Sequence, residues 1–379
     1  VTTIGEYAFA GCIKLKNVVI PSTVTATGAN IFQSCAKLTD VSFAEKTTII
    51  PQYIMYGCST LENVTIPDTV KEIGAYAFTG CISLGKIKFD GVLEKIGAYS
   101  FNGCTKLEEV VTPDSLKTID GYAFYGCNNL TSVKLNEGIS QIGECTFSKC
   151  IKITEVTIPS TVANMGGNVF NECTKLESIT FADGITQIPN YALYNCQTVK
   201  KVTIPKTVKV IGDYSFVNCI NVSEISLPAS LESIGYCAFD GCISISKAEM
   251  PSTLKKIAAY AFRNCKNLSS VKLNEGLEMI DSNAFEKCVL IKEIILPSTL
   301  TAMGTNVFIE CSGLENAVFA DKITAVPANA LSNCSALKKV TIPETVTVIY
   351  NDAFVNCKSL EAITFPDTLE VIGDRAFAN

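Results

Sequence analysis

The sequence contains no histidine and no tryptophan, and only two of its 31 basic residues, Arg263 and Arg375, are arginines. Histidine is the commonest general base, and neither a glycine-rich phosphate loop nor an H-E-x-x-H motif is present. Acidic residues outnumber basic ones, which gives a formal net charge of −6. A nucleic-acid-binding domain normally has a basic balance and arginine side chains that grip phosphate. We therefore expect no enzyme, no cofactor and no nucleic-acid partner.

Long apolar runs are also missing from the chain. No stretch of 18 or more apolar residues occurs, so no membrane insertion is predicted within it. The first residues, Val1 to Gly5, lack the basic start and the apolar stretch of a signal peptide. Because the chain begins and ends in the middle of a repeat, we expect it to be a fragment of something longer.

Cysteine, in contrast, is abundant and regularly spaced. Sixteen of the 18 cysteines follow one another at intervals of 23 residues. These column cysteines are Cys12, Cys35, Cys58, Cys81, Cys104, Cys127, Cys150, Cys173, Cys196, Cys219, Cys242, Cys265, Cys288, Cys311, Cys334 and Cys357. A constant period of this length is typical of stacked repeats. We therefore predict about 16 coils in a single solenoid domain spanning 1–379, and we count positions within each coil from its column cysteine.

Within each coil, apolar residues recur at fixed positions and predict columns of inward side chains. A single coil could not bury such a face alone, so stability must come from contacts between neighbouring coils. The segment from plus-five to plus-eight, as in Asn17–Ile20, alternates and is β-branched, which predicts a short strand. Proline often follows at plus-nine and marks its end. A second apolar pair, such as Val70 and Ile73, suggests a second short strand.

The last side of the coil carries the residues that usually frame a helix. Proline occupies plus-sixteen at Pro51, Pro189 and Pro327, and proline is favoured at the first position of a helix. Glycine or asparagine stands at plus-twenty-two, as in Gly57 and Asn195, where a left-handed residue typically ends a helix. This pattern predicts a short helical turn in every coil.

A longer periodicity overlies the 23-residue repeat. The segment Phe43-Ala44-Glu45 recurs as Phe181-Ala182-Asp183 and as Phe319-Ala320-Asp321, each time 138 residues further on. That distance equals six coils and indicates duplication of a six-coil block. We interpret this longer repeat as a trace of evolutionary duplication and not as a sign of a chemical function.

The Leu-x-x-Val-x-Ile core, with proline, Ile-Gly, Ala-Phe and cysteine at these offsets, closely resembles the BspA-like class of leucine-rich repeats over the whole chain. The resemblance implies a right-handed, curved α/β-type solenoid with a parallel sheet on its concave side. It further implies an extracellular or cell-surface protein of a host-associated bacterium or protist, often an adhesin, with no catalytic residues. The asparagine ladder of common leucine-rich repeats is missing, and the cysteine column could take over part of that role.

The cysteines allow three interpretations: structural thiols, disulfides or metal ligands. Zinc sites usually need clustered ligands such as C-x-x-C, often with histidine, so no metal site is expected. One cysteine per coil at an inward position is typical of a small buried hydrophobe, and we expect the column cysteines to be buried and reduced. Cys145 and Cys237 lie instead at plus-eighteen, which we expect to face outward, so these two thiols are candidates for reactivity.

Two surfaces are candidates for ligand binding. The first comprises the outward strand positions of the concave face, which are polar and carry no aromatic residue: Lys86, Lys88, Glu109, Ser132, Lys134, Glu155 and Thr157. The second is a row of tyrosines at plus-eighteen with two neighbours on the same face: Tyr53, Tyr56, Tyr76, Tyr99, Tyr122 and Tyr125. Tyrosine is common at interfaces, but such rings could also simply stack and seal an edge.

The function predicted from these features is a monomeric, non-catalytic binding or adhesion module for a protein or glycan ligand. A concave array surface is the usual binding surface of solenoids. The alternative is a structural spacer that displays other domains. Random polar variation of the outward residues would favour a spacer, and a contiguous footprint would favour a binder.

Overall fold

The computed structural model describes residues 1–379 and divides them into two compact units, Val1–Ile185 and Thr186–Asn379. The single domain spanning 1–379 stays a prediction. All secondary structure is β, with 30 short strands in two series.

The first-strand series contains strands of three or four residues at the predicted plus-five to plus-eight positions. Alternate residues are buried, as in Glu155–Ile158, where Val156 and Ile158 face the core. The strands are β2 (Asn17–Ile20), β4 (Asp40–Phe43), β6 (Asn63–Thr65), β9 (Glu109–Val111), β11 (Ser132–Lys134), β13 (Glu155–Ile158), β15 (Ser178–Phe181), β17 (Lys201–Thr203), β20 (Lys247–Glu249), β22 (Ser270–Lys272), β24 (Glu293–Ile295), β26 (Asn316–Val318) and β28 (Lys339–Thr341).

The second-strand series confirms the second short strand in each coil. Each of its members has two residues, and the second is usually a buried isoleucine, as in Glu72–Ile73. The strands are β1 (Thr3–Ile4), β3 (Ala26–Thr27), β5 (Ile49–Ile50), β7 (Glu72–Ile73), β8 (Lys95–Ile96), β10 (Thr118–Ile119), β12 (Gln141–Ile142), β14 (Asn164–Met165), β16 (Gln187–Ile188), β18 (Val210–Ile211), β19 (Ser233–Ile234), β21 (Lys256–Ile257), β23 (Met279–Ile280), β25 (Ala302–Met303), β27 (Ala325–Val326), β29 (Val348–Ile349) and β30 (Val371–Ile372).

Strand pairing is parallel and keeps the register of the repeat. Asn17 pairs with Asp40, and Asp40 pairs with Asn63, so each strand meets the equivalent residue of the next coil. The second series behaves in the same way, with Lys95 between Glu72 and Thr118. Equivalent side chains therefore form rows across the coils. The fold is a parallel-sheet solenoid of about 16 turns, as the period predicted.

Stacked aromatic rings fill the core along the turn side of the coils. In Val1–Ile185, the ring of Phe124 lies 5.2 Å from that of Phe101 and 5.5 Å from that of Phe147, nearly parallel to both. Phe239 has the same place in the second unit, 5.0 Å from Phe216 and 5.1 Å from Phe262. These side chains are almost completely buried. The predicted phenylalanine column is confirmed.

The predicted helical turn is wrong, because the structure contains no helix. The residue at plus-eighteen has a positive φ, as in Tyr53 at 56° and Asn168 at 58°, and a left-handed residue stops a right-handed helix. In addition, alternate N–H groups bond to the next coil: Tyr53 to Ala75, Met55 to Ala77 and Gly57 to Thr79, at 3.0, 2.8 and 2.8 Å. These N–H groups cannot make intrahelical hydrogen bonds, and the segment forms successive turns.

The left-handed residue expected at plus-twenty-two is confirmed, although it ends no helix. Gly57 has a φ of 72° and Asn195 a φ of 60°. Glycine at plus-sixteen has a different cause. A Cβ built on Gly74 would lie 2.5 Å from the backbone nitrogen of Gln52 in the preceding coil. That slot therefore favours glycine because two coils approach closely and not because of its φ.

Candidate functional site

The outward residues of the first-strand series lie in exposed rows. Ser132 pairs with Glu109 and Lys134 with Val111 in the ladder between β9 and β11. The Nζ of Lys134 lies 3.4 Å from the Oε1 of Glu109, and both side chains are more than half exposed, at 65% and 53%. Such an exposed pair contributes little to stability, on the order of 0–1 kcal/mol. These side chains are therefore free to exchange partners with a ligand.

The other predicted residues of this face are placed less regularly. Glu155 and Thr157 are exposed on β13, which is the neighbour of β11 in the next coil but is not hydrogen-bonded to it. Lys86 and Lys88 are exposed as well, but residues 85–90 form no strand. The expectation of one first strand in every coil is therefore wrong at this coil, and it is wrong again at 224–227 and 361–365.

The predicted tyrosine row forms a stack in the unit Val1–Ile185. The ring of Tyr76 lies 4.7 Å from that of Tyr53 and 4.7 Å from that of Tyr99, and Tyr99 lies 4.5 Å from Tyr122. Neighbouring planes are within 5° of parallel. The inner rings therefore cover each other's faces and present only their edges and hydroxyls to solvent.

Tyr56 and Tyr125 extend this row sideways. Their rings are tilted against Tyr53 and Tyr122, with centroids 5.9 and 5.7 Å apart. The ammonium of Lys149 lies 5.7 Å above the ring of Tyr125. This is within the range of a cation–π contact, so the side of the row is partly occupied as well.

The tyrosines stand on an unfavourable backbone. All four stacked residues have φ between 56° and 60°, a region that bulky residues rarely adopt and that costs roughly 1–3 kcal/mol for a residue other than glycine. Asparagine tolerates it better, and Asn283, Asn306 and Asn329 occupy the same slot in the second unit with φ of 56° to 60°. The backbone therefore does not select tyrosine here, so the side chain must supply the reason.

A second aromatic row in the unit Thr186–Asn379 was not predicted as a site. Tyr214 stacks on Tyr191 at 4.6 Å, and Tyr236 lies 5.2 Å from Tyr214 and 5.6 Å from Tyr260. The guanidinium of Arg263 lies 4.6 Å above the ring of Tyr260. The six-coil offset from Tyr53 to Tyr191 was the sequence signal that could have identified this row.

Arg263 is itself held by Asp240 of the preceding coil. Its Nε lies 3.0 Å from Oδ1 and its Nη2 2.5 Å from Oδ2 of that carboxylate, which is largely buried. The hydrogen bond to Asp240 raises the pKa of Arg263. A two-point contact of this kind fixes the plane of the guanidinium, which explains its position over the ring.

The cysteine column forms a hydrogen-bonded ladder. The thiol of Cys58 donates to the carbonyl of Phe32 at 3.0 Å, and Cys242 donates to Phe216 at 3.0 Å, each across 26 residues. Burial raises the pKa of Cys58 to about 12. Every column cysteine except Cys12 is buried. Cys12, which is exposed, is the exception to the prediction.

The expectation that Cys145 and Cys237 face outward is wrong. Only 8% of Cys145 and 4% of Cys237 is exposed. Burial raises the pKa of Cys145, which is also hydrogen-bonded to Tyr122. Burial likewise raises the pKa of Cys237 to about 11. Both thiols are therefore neutral at physiological pH and are poor nucleophiles.

The structure brings no three His, Cys, Asp or Glu side chains together in a geometry that could hold a metal ion. None of its elements is a helix of the length and apolarity that a membrane crossing requires.

Comparison with known proteins identifies the family to which the repeat belongs. The model of the BspA type leucine rich repeat region, with six copies, matches residues 1–108, 94–222, 186–315 and 280–379. The chain belongs to the BspA-type leucine-rich repeat family. The resemblance inferred from the cysteine, proline and phenylalanine columns is thereby confirmed. This BspA-type chain matches no curated protein sequence.

Two solved structures are similar to this BspA-type chain. A leucine-rich repeat protein from Bacteroides ovatus is 28% identical, covers 80% of this chain and 87% of its own, and has a TM-score of 0.65. A leucine rich cell surface protein from Faecalibacterium prausnitzii is 24% identical, covers 97% of this chain and 78% of its own, and has a TM-score of 0.39. The first supports the leucine-rich repeat fold, and a repeat fold of this family is typically non-catalytic.

Proposed function

We propose that this chain is a non-catalytic binding or adhesion module at the cell surface or outside the cell, and that its ligand is a protein or a glycan. The observation that carries the proposal is the in-register row of exposed, polar first-strand residues. Glu109, Ser132 and Lys134 lie on the paired strands β9 and β11, yet make only weak contacts with one another. A ligand that spans several coils could meet all of them at once.

The first-strand face is a better candidate than the tyrosine row. An aromatic ring can bind a ligand through a free face. The faces of Tyr76 and Tyr99 are not free, because neighbouring rings cover them on both sides. The strand face, in contrast, presents donors and acceptors of both charges. Curvature of the solenoid, as the family resemblance implies, would bring them around a partner.

The experiment is a capture assay against immobilised matrix proteins and a glycan array with two block variants. One block is Lys86→Glu, Lys88→Glu and Glu109→Lys, and the other is Tyr53→Asn, Tyr76→Asn, Tyr99→Asn and Tyr122→Asn. Asparagine keeps the left-handed backbone, so the second block tests the rings and not the fold. Loss of capture in the first block alone supports the strand face, and loss in the second block alone overturns it.

The alternative function is a structural spacer, and one feature favours it. Several surface charges pair with a charge in the adjacent coil, as Lys272 does with Glu249 at 2.8 Å and Glu315 does with Lys292 and Lys338 at 3.1 and 2.8 Å. Charges paired in this way stiffen and solubilise the array without a ligand. Unchanged capture in both blocks, with folding intact, would favour the spacer.

A further inference from the structure

Each of the two units contains one pair of neighbouring coils that is not joined through its second strands. In the first unit, β3 pairs only with β1 and β5 only with β7; in the second, β25 pairs only with β23 and β27 only with β29. No backbone hydrogen bond crosses from β3 to β5 or from β25 to β27. We name these places the first joint and the second joint. They are distinct from the breaks in the first-strand series at 85–90, 224–227 and 361–365.

Each joint has a proline where other coils have a hydrogen-bond donor. The N–H at plus-sixteen normally donates to the plus-fifteen carbonyl of the preceding coil, as Gly74 does to Ile50 at 2.8 Å. Pro51 and Pro327 occupy plus-sixteen at the two joints, and proline has no N–H to donate. The carbonyl of Met303 therefore receives no hydrogen bond from Pro327. The prolines that the sequence suggested as helix starts instead interrupt a ladder.

A side-chain hydrogen bond is lost at the same two places. In several coils a serine or threonine at plus-eleven donates to carbonyls of the preceding coil, as the hydroxyl of Thr253 does to Ala229 and Leu231 at 2.9 and 2.7 Å. At the joints this position holds Lys46 and Lys322, and both lysines are exposed. The hydroxyl contact is therefore absent on the side where the ladder is interrupted.

The ring stack of the core is interrupted at the joints as well. Met55 and Leu331 stand in the phenylalanine column there, whereas Phe285 and Phe308, just before the second joint, stack at 5.5 Å. A flexible aliphatic side chain replaces a rigid ring, and methionine in particular adapts to irregular core space. The core contact across a joint therefore tolerates a change of angle better than a ring stack does.

The first strands and the turns remain hydrogen-bonded across each joint. At the first joint, β2 and β4 are paired, and the N–H of Ser34 donates to Tyr56 in the turn at 2.8 Å. At the second joint, β24 and β26 are paired, and the N–H of Phe308 donates to Ala330 at 2.9 Å. Two coils that are held through their first strands and turns can open along their second strands without separating.

The joints are already less tightly closed than regular coils. A cleft of about 610 Å³ lies at the first joint and is lined by residues of both coils, including Thr27 and Ile49. At the second joint Met303 is half-buried at plus-fifteen, whereas Ile280 in the preceding coil is completely buried at the same position. A small opening at a joint therefore exposes less additional apolar surface than it would between regular coils.

We propose that the two joints are built-in bending points, at which neighbouring coils open and close along their second strands while the first strands and the turns keep them together. Proline, lysine and the aliphatic core residue each weaken a different contact, so the joint does not depend on a single missing hydrogen bond. This inference goes beyond the proposed function, because it applies to a binding module and to a spacer alike.

Hydrogen exchange of backbone amides tests whether a joint is open on one side only. The amide of Thr324 should exchange at least about tenfold faster than that of Thr347, which donates to Thr324 across a regular ladder at 2.9 Å. The amides of Glu315 and Phe308 cross the second joint through the first strands and the turns, so they should exchange as slowly as Thr347. Slow exchange of Thr324 would overturn the proposal. Fast exchange of Thr324, Glu315 and Phe308 alike would also overturn it, because the coils would then separate completely.

Spin labels measure the bending itself. A keto-reactive nitroxide attached to p-acetylphenylalanine leaves the native thiols unlabelled. One pair of labels, at Thr301 and Thr324, spans the second joint, and a matched pair, at Glu278 and Thr301, spans the regular ladder between β23 and β25. All three residues are exposed and lie at plus-thirteen. Dipolar broadening in frozen solution should give a wider distance distribution across the joint than across the ladder, and equal widths would refute a bending point.

Variants test whether the named residues create the joint. Lys322→Thr with Pro327→Ala restores the hydroxyl and the N–H, and alanine already occupies plus-sixteen at Ala258, whose N–H donates to Ile234 at 2.9 Å. The distribution for the pair at 301 and 324 should narrow to that of the ladder pair. The reverse control is Thr345→Lys with Tyr350→Pro, which should widen the distribution for a pair at 324 and 347. An unchanged width in the restored joint, with the fold intact by circular dichroism, would show that these residues do not form a bending point.

Discussion

Replacing a plus-eighteen tyrosine by glycine should leave the chain more stable than replacing it by alanine. Tyr53 has a φ of 56°, and a left-handed residue with a Cβ costs roughly 1–2 kcal/mol that glycine avoids. Two terms favour alanine instead. Glycine loses roughly 0.5–1 kcal/mol more backbone conformational entropy on folding, and the half-buried Cβ of alanine contributes about 0.4 kcal/mol of hydrophobic stabilisation. Taken at their midpoints, these terms favour Tyr53→Gly over Tyr53→Ala by roughly 0.4 kcal/mol.

The comparison isolates the backbone because both variants lose the same contacts with Tyr56 and Tyr76. A control lies three residues further along the same turn. Tyr56 has no positive φ, so Tyr56→Ala should be more stable than Tyr56→Gly by about 0.5–1 kcal/mol. The order of the two variants is therefore expected to reverse between neighbouring tyrosines.

The assay is urea unfolding followed by circular dichroism, with midpoints compared only between variants of equal m-value. If the segment were a helical turn, the alanine variant would be more stable than the glycine variant by about 1 kcal/mol at both positions. Tyr53→Ala more stable than Tyr53→Gly by that amount would refute the left-handed assignment and restore the turn that the sequence predicted.

Three further predictions follow from the core and the thiols. Phe124→Ala should cost about 3–5 kcal/mol, and Tyr122→Ala clearly less because its ring is only half buried; equal losses in urea melts would contradict this inward–outward assignment. A thiol reagent at pH 8 should label Cys12 quickly and Cys145 and Cys237 only on unfolding; rapid labelling of either of the latter in the native chain would contradict their burial. Because burial raises the pKa of Cys58, Cys127 and Cys311 from 9.0 to about 12, the unfolded thiols ionise first, so stability should be greatest below about pH 9 and fall as the pH rises towards 12. Unfolding free energies that do not decrease between pH 9 and 11 would disprove this linkage.

The sequence predicted those features that depend on the repeat period. Once Cys58, Cys81 and Cys104 are stacked at 23 residues, the parallel register of the strands and the burial of Phe78 and Phe101 follow, because equivalent residues must lie beside each other. These predictions needed no knowledge of the backbone between the columns. They hold in each of the two units.

The sequence could not predict features that arise from main-chain contacts between coils. Pro51 and Gly57 frame a helix in an isolated segment, but the N–H groups of Tyr53 and Met55 are used by the next coil. One signal was present: Asn30 and Asn168 alternate with tyrosine at plus-eighteen, and asparagine is the residue that tolerates positive φ.

The break in the first-strand ladder left no such signal. Lys86-Ile87-Lys88-Phe89 alternates in the same way as the paired strands, and nothing in its side chains explains why its peptide groups remain open. The recurrence of the break every six coils nevertheless gives the duplication a consequence. The side chains around the unpaired segment differ between the copies, with Glu224 in place of Lys86, Ser226 in place of Lys88 and Lys247 in place of Glu109. The duplication therefore repeated the interruption of the ladder but not the side chains around it.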